Sequence, residues 1–384
     1  MPMALIRRLS LLLSLLAAAG ALDAQSEEER KIKDRQDALS TALKASKTPA
    51  DLMTVAEGFL ALADEAVAQN QYELALKLLD QAQKVATTAK DTTFAARVAA
   101  RGVDVKSLQK EHAKAKAAFK SLTDNPDDPE ANLLVGRFLC FHKHEWELGI
   151  RNLAKGSDKA LKPVAEMDLA TSSEGKNQLE AGHAWWTLGE RKGPDQAILR
   201  SRAVYWYEKA WPSLDKVERL TIRQRVQEAQ RRSAKETRTE GAAGWQGADP
   251  KMLHLSEMYA HTGQRSFFLQ RLPEAKTELV LSQTVQIVPG ESYVVKFRVL
   301  TEGEVTGVLR LLPDKFAEFP KDRPFWTLLT YEFVAPPAAT TLPAQFILYS
   351  SGNDHSGRVW VDDVQVLKAG TTRNLLSNSS FEDK

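Results

Sequence analysis

The segment HKHEW comes nearest, by residue type, to a metal or acid–base site. On a helix, residues two apart point in different directions, so His142 and His144 beside Glu145 do not share a metal ion. The sequence holds no HExxH, no GxSxG, no P-loop and no glycine-rich dinucleotide turn. The chain has 50 acidic residues, so their number alone does not exclude the pair of carboxylates that a glycosidase needs. No pattern, however, places two of them across one cleft. We therefore predict that the protein is not an enzyme.

The balance of charged residues bears on which kinds of molecule the protein could bind. The chain has 384 residues, enough for two or three domains, and its 52 basic residues nearly balance 50 acidic ones. An arginine-rich run from Arg219 to Arg238 is interrupted by glutamates, as in a solvated helix face, so nucleic acid is not a predicted partner. The one cysteine, Cys140, lies in an apolar helical context and is predicted to be a buried, inert thiol.

The first residues have the pattern of an export signal. Arg7 and Arg8 precede an apolar run from Leu9 to Ala19, and small residues follow up to Ala24. The run is too short to span a membrane comfortably, and the charged segment QSEEERKIKDR follows it. We predict a cleaved signal peptide, a secreted or periplasmic protein, and no membrane span after cleavage.

From about residue 26 to 233 apolar residues recur at helical spacing, and one helix-pair pattern repeats. The first copy places small residues where two antiparallel helices would cross, and consists of Phe59, Leu62, Ala63, Ala66, Tyr72, Ala75, Leu79 and Ala82. Its second-helix pattern recurs from His112 and again, 34 residues later, from Trp146. This pattern resembles degenerate tetratricopeptide repeats. The resemblance implies a helical solenoid whose default role is to bind a protein partner.

Beyond a Gly/Ala-rich stretch around Trp245 the pattern changes to alternation at period two. Strands are predicted in RSFFLQR, ELVLSQTVQI, ESYVVKFRVL, VTGVLRLL, FWTLLTYEFV, AQFILYS and RVWVDDVQVL. Many short strands separated by turns predict an antiparallel β-sandwich. The predicted fold is therefore multidomain, a tetratricopeptide-like α-helical solenoid followed by a jelly-roll sandwich.

The order of motifs in the second half resembles a known family. GW, GQRSFFL, QTVQIVPGESYVVKFRV, FWTLLTYEFVAP and GRVWVDDVQV occur in the order seen in CenC-type carbohydrate-binding modules, of the galactose-binding-like class. The resemblance implies a jelly roll that binds polysaccharide. One feature departs from the family, because its opening strand, an NxxFE-like segment, occurs here at the C-terminus as NLLSNSSFE.

Three alternatives remain for this displaced segment. It completes its own sandwich as a last strand over residues 374–382, it inserts into a neighbouring molecule, or it is the start of a lost second module. ETRTEGAAG, which precedes Trp245, has no apolar alternation, and this favours the first two.

Aromatic rings are the candidates for sugar binding, because flat apolar rings stack on the CH faces of pyranoses. The candidate carbohydrate-binding residues are Trp245, Tyr259, Tyr349, Trp360 and His355, with His254, His261 and Asn353 as further polar neighbours. Each aromatic also fits a packing role in a strand. Trp326 resembles the framework tryptophan of the family, which implies a structural role.

A calcium ion is implied by the same resemblance, in which carboxylates near the first and last strands hold a structural Ca²⁺. The matching residues are Asp362, Asp363 and Glu382. In the alternative, an aspartate caps a strand edge and Glu382 pairs with Arg358.

The predicted function is that of an exported, non-catalytic protein whose sandwich binds carbohydrate and whose helical half binds a protein partner. The alternatives are an envelope scaffold without sugar binding and an accessory subunit of a polysaccharide-processing enzyme. The predicted segments are a signal peptide (1–24), a charged helical lead-in (25–50), the repeat domain (51–235), a linker (236–243) and the sandwich (244–384).

Overall fold

A computed structural model of the chain describes residues 30–231, 238–240, 244–247, 253–262, 265–270, 279–303, 307–312, 315–348, 357–371, 374–377 and 381. The protein forms two compact units, Met1–Ala170 and Thr171–Lys384. This division falls inside the range 51–235 that the sequence assigns to one repeat domain. The predicted signal peptide lies outside the described residues, and the predicted domain bounds stay predictions.

The first unit is helical throughout its described part. Its helices are α1 (30–45), α2 (Pro49–Ala68), α3 (Tyr72–Thr88), α4 (Thr92–Asp124), α5 (Pro129–Arg137), α6 (Trp146–Lys155) and α7 (Leu161–Ala170). Thr48 starts α2 with a capping box, in which its side chain accepts from the N–H of Asp51 and the Asp51 carboxylate accepts from the N–H of Thr48. The predicted lead-in packs on this unit, because Ile32 of α1 is buried in the core of α2 and α3.

The first predicted helix pair has the expected buried face. Phe59, Ala63 and Ala66 of α2 are buried against Ala75 and Ala82 of α3, so small residues do line the crossing. Downstream the pattern differs, because α4 is one helix of 33 residues where the repeat pattern predicts a pair. The tetratricopeptide-like solenoid therefore stays a prediction, while a helical first half is confirmed.

The second unit begins with three helices, α8 (Gly175–Leu188), α9 (Gln196–Ala210) and α10 (Lys216–Gln230). Gly182 lets α8 approach α9 closely, since a Cβ at this position would lie 2.6 Å from the ring of Tyr207. Asp215 starts α10 by accepting from the N–H groups of Val217 and Glu218. The aromatic residues Trp185, Trp186 and Tyr207 are buried between these helices.

Eleven strands follow in the described part of the second unit. They are β1 (Arg238–Glu240), β2 (Gln246–Gly247), β3 (Leu253–Ser256), β4 (Ser266–Gln270), β5 (Leu279–Gln286), β6 (Ser292–Glu302), β7 (Gly307–Leu312), β8 (Lys315–Glu318), β9 (Thr327–Val334), β10 (Thr341–Leu348) and β11 (Arg358–Lys368). The six-stranded sheet has the order β1-β3-β4-β11-β6-β9, and the five-stranded sheet has the order β2-β5-β10-β7-β8. Neighbouring strands in both sheets pair antiparallel, which confirms the predicted two-sheet antiparallel fold.

Period-two alternation builds the core between the sheets. Along β6, Val295, Phe297 and Val299 are buried in this core, while Lys296 and Arg298 alternate with them on the outer face. All seven predicted strands are present. The structure adds four short ones, β1, β2, β3 and β8, and β1 lies inside the predicted linker 236–243.

The C-terminal segment packs into the core of its own sandwich. Phe381 is fully buried, with its ring 5.2 Å from that of Trp245 and 5.4 Å from that of Phe267. Of the predicted last strand 374–382, the described residues form a single bridge, between Asn374 and Leu367 of β11. No helix in the described part of the chain combines the length and apolarity needed to cross a membrane.

Candidate functional site

A β-bulge in β11 marks the outer face of the six-stranded sheet. The pairing of β11 with β6 shifts register between Asp362 and Gln365, and Asp363 has a φ of 51°, in the left-handed region. A bulge re-aims side chains, and a strained backbone in a non-glycine residue persists only where its surroundings hold it. The surroundings here are the side chains of the segment 257–262, which follows β3.

The carboxyl group of Asp362 is fully buried and holds this segment in place. Its Oδ2 accepts from the backbone N–H groups of His261 at 2.8 Å and Thr262 at 3.1 Å, and its Oδ1 accepts from that of Asp363 at 2.8 Å. Burial, followed by the charge of Asp363, raises the pKa of Asp362 to about 8, although the three N–H groups act in the opposite direction. The residue fastens the segment 257–262 to β11.

Asp363 carries the negative charge of the site. Burial acts to raise the pKa of the Asp363 carboxyl, but the hydrogen bonds from His261 and Thr262 and the charges of His261 and Arg298 outweigh it and lower the pKa. Because an ionised carboxylate only accepts, Nδ1 of His261 donates to Oδ2 of Asp363, at 2.6 Å. The Thr262 hydroxyl donates to Oδ1. The side chains of His261 and Asp363 are 31% and 22% exposed, so solvent reaches this pair.

An aromatic cluster lies beside the carboxylates on the same face. Trp360 packs with Tyr259, at a ring distance of 4.9 Å, and with Phe268, at 5.1 Å. The Trp360 indole N–H donates to the Ser256 hydroxyl at 3.3 Å. Trp326 borders this cluster and is only partly buried. Its ring lies edge-on to His261, with centroids 6.0 Å apart.

The connection from β8 to β9 positions Trp326. Arg223 of α10 forms a two-point ion pair with Asp322, which lowers the pKa of the Asp322 carboxyl through the hydrogen bonds from that guanidinium. The guanidinium of Arg323 donates to Glu208 of α9 at 2.7 Å. The ring of Phe325 packs on Trp211, at 5.4 Å. Residues of α9 and α10, and Trp211 directly after α9, thus hold three residues of the short stretch that leads into Trp326 and β9.

The site therefore joins a partly exposed indole to an ionised carboxylate, an imidazole and a hydroxyl. Each carboxylate oxygen can accept more than one hydrogen bond, so Asp363 can accept from a ligand hydroxyl while it keeps His261 and Thr262. An apolar ring next to directional polar groups suits a ligand with both a CH face and hydroxyl groups. We call Trp326, His261, Thr262 and Asp363 the bulge site.

The predicted sugar-stacking residues do not contribute exposed rings. Trp245, Tyr259 and Trp360 are 8%, 3% and 1% exposed, because the first packs in the core between the sheets and the others pack in the outer cluster. A buried ring offers no face to a pyranose, so the structure gives these three a packing role. Tyr349 and His355, as well as Asn353, lie outside the described residues. His254 is partly buried, and no acceptor or donor pairs with its Nδ1 in the described part of the chain.

The calcium site stays a prediction, because Glu382 lies outside the described residues and the oxygens of Asp362 and Asp363 are bound to donors of the chain itself. Calcium needs several oxygen ligands that point at one ion. All four carboxylate oxygens of these residues already accept from N–H or O–H donors of His261, Thr262 and Asp363. No group of three or more His, Cys, Asp or Glu residues suited to a metal occurs among the described residues.

The sequence predicts a structural role for Trp326 and does not single out Thr262, whereas the structure places both beside His261 and Asp363. The usable signal was the doublet Asp362-Asp363, which interrupts the alternation of VWVDDVQV and therefore marks a bulge. Nothing in the sequence linked that doublet to His261, a hundred residues earlier in the chain.

Comparisons with known proteins give structural likenesses only. No protein-family model matches the chain, and no curated protein matches it. Matches to solved carbohydrate-binding modules cover about a third of the chain. One is a family 61 module in complex with β-1,4-galactotriose, at 17% identity over 34% of this chain and 91% of that one, with a TM-score of 0.27.

A second likeness is the N-terminal cellulose-binding domain of β-1,4-glucanase C from Cellulomonas fimi, at 15% identity over 34% of this chain and 93% of that one (TM-score 0.24). A third is the enzymatically active domain of tailspike protein 4 of bacteriophage CBA120, at 15% identity over 34% of this chain and 20% of that one (TM-score 0.27). With TM-scores this low, the likenesses carry no weight for function.

Proposed function

We propose that the sandwich binds carbohydrate at the bulge site, in an exported, non-catalytic protein whose helical first half binds a protein partner. The observation that supports sugar binding is the placement of the partly buried Trp326 indole beside the hydrogen-bonded His261 and Asp363. Export is supported by the signal-like pattern of residues 1–24, and the protein partner by the repeat-like pattern of the first half.

The chemistry of the bulge site favours a neutral sugar. The indole of Trp326 stacks on the CH face of a pyranose, and Asp363 accepts from the hydroxyl groups at its rim. A uronic acid or a sulfated sugar brings a second negative charge next to the Asp363 carboxylate, and like charges repel at this range. Neutral polysaccharides are therefore preferred over acidic ones.

Affinity gel electrophoresis of the full chain tests this function. Gels that contain a soluble β-glucan, xylan or galactan are compared with gels that contain alginate and with gels that contain no polysaccharide. We expect retardation by at least one neutral polysaccharide, none by alginate, and loss of retardation in Trp326→Ala. The matched control Thr284→Ala changes an exposed residue of the opposite sheet and keeps the retardation. A chain that no polysaccharide retards contradicts sugar binding.

A further inference from the structure

Strand β9 is a free edge of the six-stranded sheet. It pairs antiparallel with β6 along its full length, from Thr327 opposite Val299 to Val334 opposite Ser292. In the part of the chain that the structure describes, its backbone makes no hydrogen bond to any other segment. Natural proteins cover, shorten or charge such an edge, because unpaired N–H and C=O groups invite another strand. This edge has eight residues and one charge, Glu332.

The outer-face side chains of β9 are apolar at both ends and polar between them. Leu328 and Val334 are 49% and 60% exposed, which is unusual for large apolar residues that bracket a strand. Thr330 and Glu332 lie between them on the same face. Lys296 of β6 is the direct neighbour of Thr330 across the sheet. Among the described residues neither Lys296 nor Glu332 forms an ion pair.

We propose that β9 pairs antiparallel with β9 of a second copy of this chain, with the two-fold axis at Tyr331. In this register Leu328 faces Val334 of the second copy, twice by symmetry, so the exposed apolar side chains cover each other. Glu332 faces Thr330 of the second copy, which places its carboxylate beside Lys296 of that copy. Glu332 of each chain thereby lies near Lys296 of the other chain, and the opposite charges attract across the axis.

Neighbouring registers lack this complementarity. A shift that centres the axis on Glu332 sets the two Glu332 carboxylates opposite each other, and like charges directly opposite destabilise a strand pair. A shift that centres it on Thr330 sets Glu332 against Leu328. The register at Tyr331 is the one of the three that joins apolar to apolar and acid to base. The dimer is independent of sugar binding, although it places two bulge sites in one particle.

Sedimentation velocity of the full chain tests the dimer. We expect a concentration-dependent dimer that Glu332→Lys weakens, because the introduced ammonium group would lie beside Lys296 of the second copy. The double variant Lys296→Glu/Glu332→Lys restores the opposite charges and should restore the dimer. A chain that stays monomeric up to about 0.1 mM overturns the proposal, and so does a dimer whose affinity neither variant changes.

A cysteine at the axis gives a second, geometric test. Tyr331→Cys brings two thiols opposite each other in antiparallel strands, within the span of a disulfide, so mild oxidation should give a covalent dimer. The native Cys140 is buried and does not contribute. Thr284→Cys, exposed on the opposite sheet, is the control and should give no covalent dimer under the same oxidation. Equal crosslinking of the two variants, or none in Tyr331→Cys, contradicts the register.

Discussion

Two adjacent carboxylates of β11 behave in opposite ways because the bulge turns them into different surroundings. Asp362 is sealed under the segment 257–262 and accepts only backbone N–H groups, and burial raises its pKa to about 8. Asp363 reaches solvent and accepts from His261 and Thr262, and its pKa is lowered. Asp362 fastens the segment 257–262, and Asp363 places a negative charge where solvent reaches it.

The raised pKa of Asp362 predicts that stability falls as pH rises. The folded state holds a proton on Asp362 that the unfolded state, with a pKa of 3.8, has lost, so the free energy of unfolding decreases as pH rises from the unfolded to the folded pKa. Asp362→Asn removes this titration. Urea unfolding at about pH 6 and about pH 9 should therefore show a smaller drop in stability for the variant than for the parent.

The control for this titration is Glu318→Gln, which removes an exposed carboxylate of β8 and should leave the parent's pH dependence unchanged. A drop as large in Asp362→Asn as in the parent would show that Asp362 is already ionised at the lower pH.

At the residue scale, the sequence predicted which residues belong to this region better than it predicted the directions of their side chains. It identified Asp362, Asp363, Tyr259 and Trp360, and assigned them to calcium and sugar. Their roles depend on the bulge, which puts Asp363 at the surface, and on the segment 257–262, which covers Trp360. Alternation along a strand says which residues share a face but does not say what covers that face.

At the scale of elements, the C-terminal segment completes the sandwich through side chains and short hydrogen bonds. Asn374 accepts from the N–H of Val366 at 2.8 Å, and the N–H of Ser377 donates to Gln283 of β5 at 2.8 Å. Gly244, with a φ of 80°, lies so close that a Cβ there would be 2.5 Å from the Ser377 hydroxyl. The GW motif thus has a glycine because the tail passes over it.

Removal of residues 374–384 should unfold the sandwich, because it empties the space that Phe381 and Leu376 fill in the core. The milder change Phe381→Ala is expected to cost about 3–5 kcal/mol in the free energy of unfolding. Urea denaturation monitored by tryptophan fluorescence measures this. Truncation after Phe381 is the control and should retain parent stability, whereas a stable sandwich without residues 374–384 contradicts a packed tail.

Periodicity predicted the long strands correctly, but it did not reveal the short ones. The seven predicted strands each had enough alternating residues to be recognised, whereas β1 and β2 have three and two residues and no pattern to detect. The long α4 was missed because Ala115 and its neighbours fit either one helix or the second half of a pair. In the folded protein this stretch forms one continuous helix.

At the scale of the whole molecule, helices α8 to α10 belong to the same compact unit as the sandwich. The Arg223–Asp322 pair, the Arg323–Glu208 pair and the Trp211–Phe325 contact join them to the connection before β9. The composition change near Trp245, where the sandwich is predicted to begin, lies inside the second compact unit.

Fragments of the chain should therefore differ in stability. A fragment of residues 171–384 is expected to melt cooperatively near the temperature of the same unit in the full chain. A fragment of residues 244–384 lacks the helices that hold the connection to Trp326 and should melt at a lower temperature. Differential scanning calorimetry of both fragments measures this, and equal melting temperatures would show that the helices do not support the sandwich.

The most direct test of carbohydrate binding at the bulge site is isothermal titration calorimetry of the full chain with an oligosaccharide of whichever neutral polysaccharide retards it. Trp326→Ala should raise the dissociation constant by about tenfold or more, which corresponds to roughly 1.4 kcal/mol of lost stacking, while Trp326→Phe should lose less. Thr284→Ala should bind as the parent does. Parent-like affinity in a folded Trp326→Ala variant would contradict sugar binding at this site.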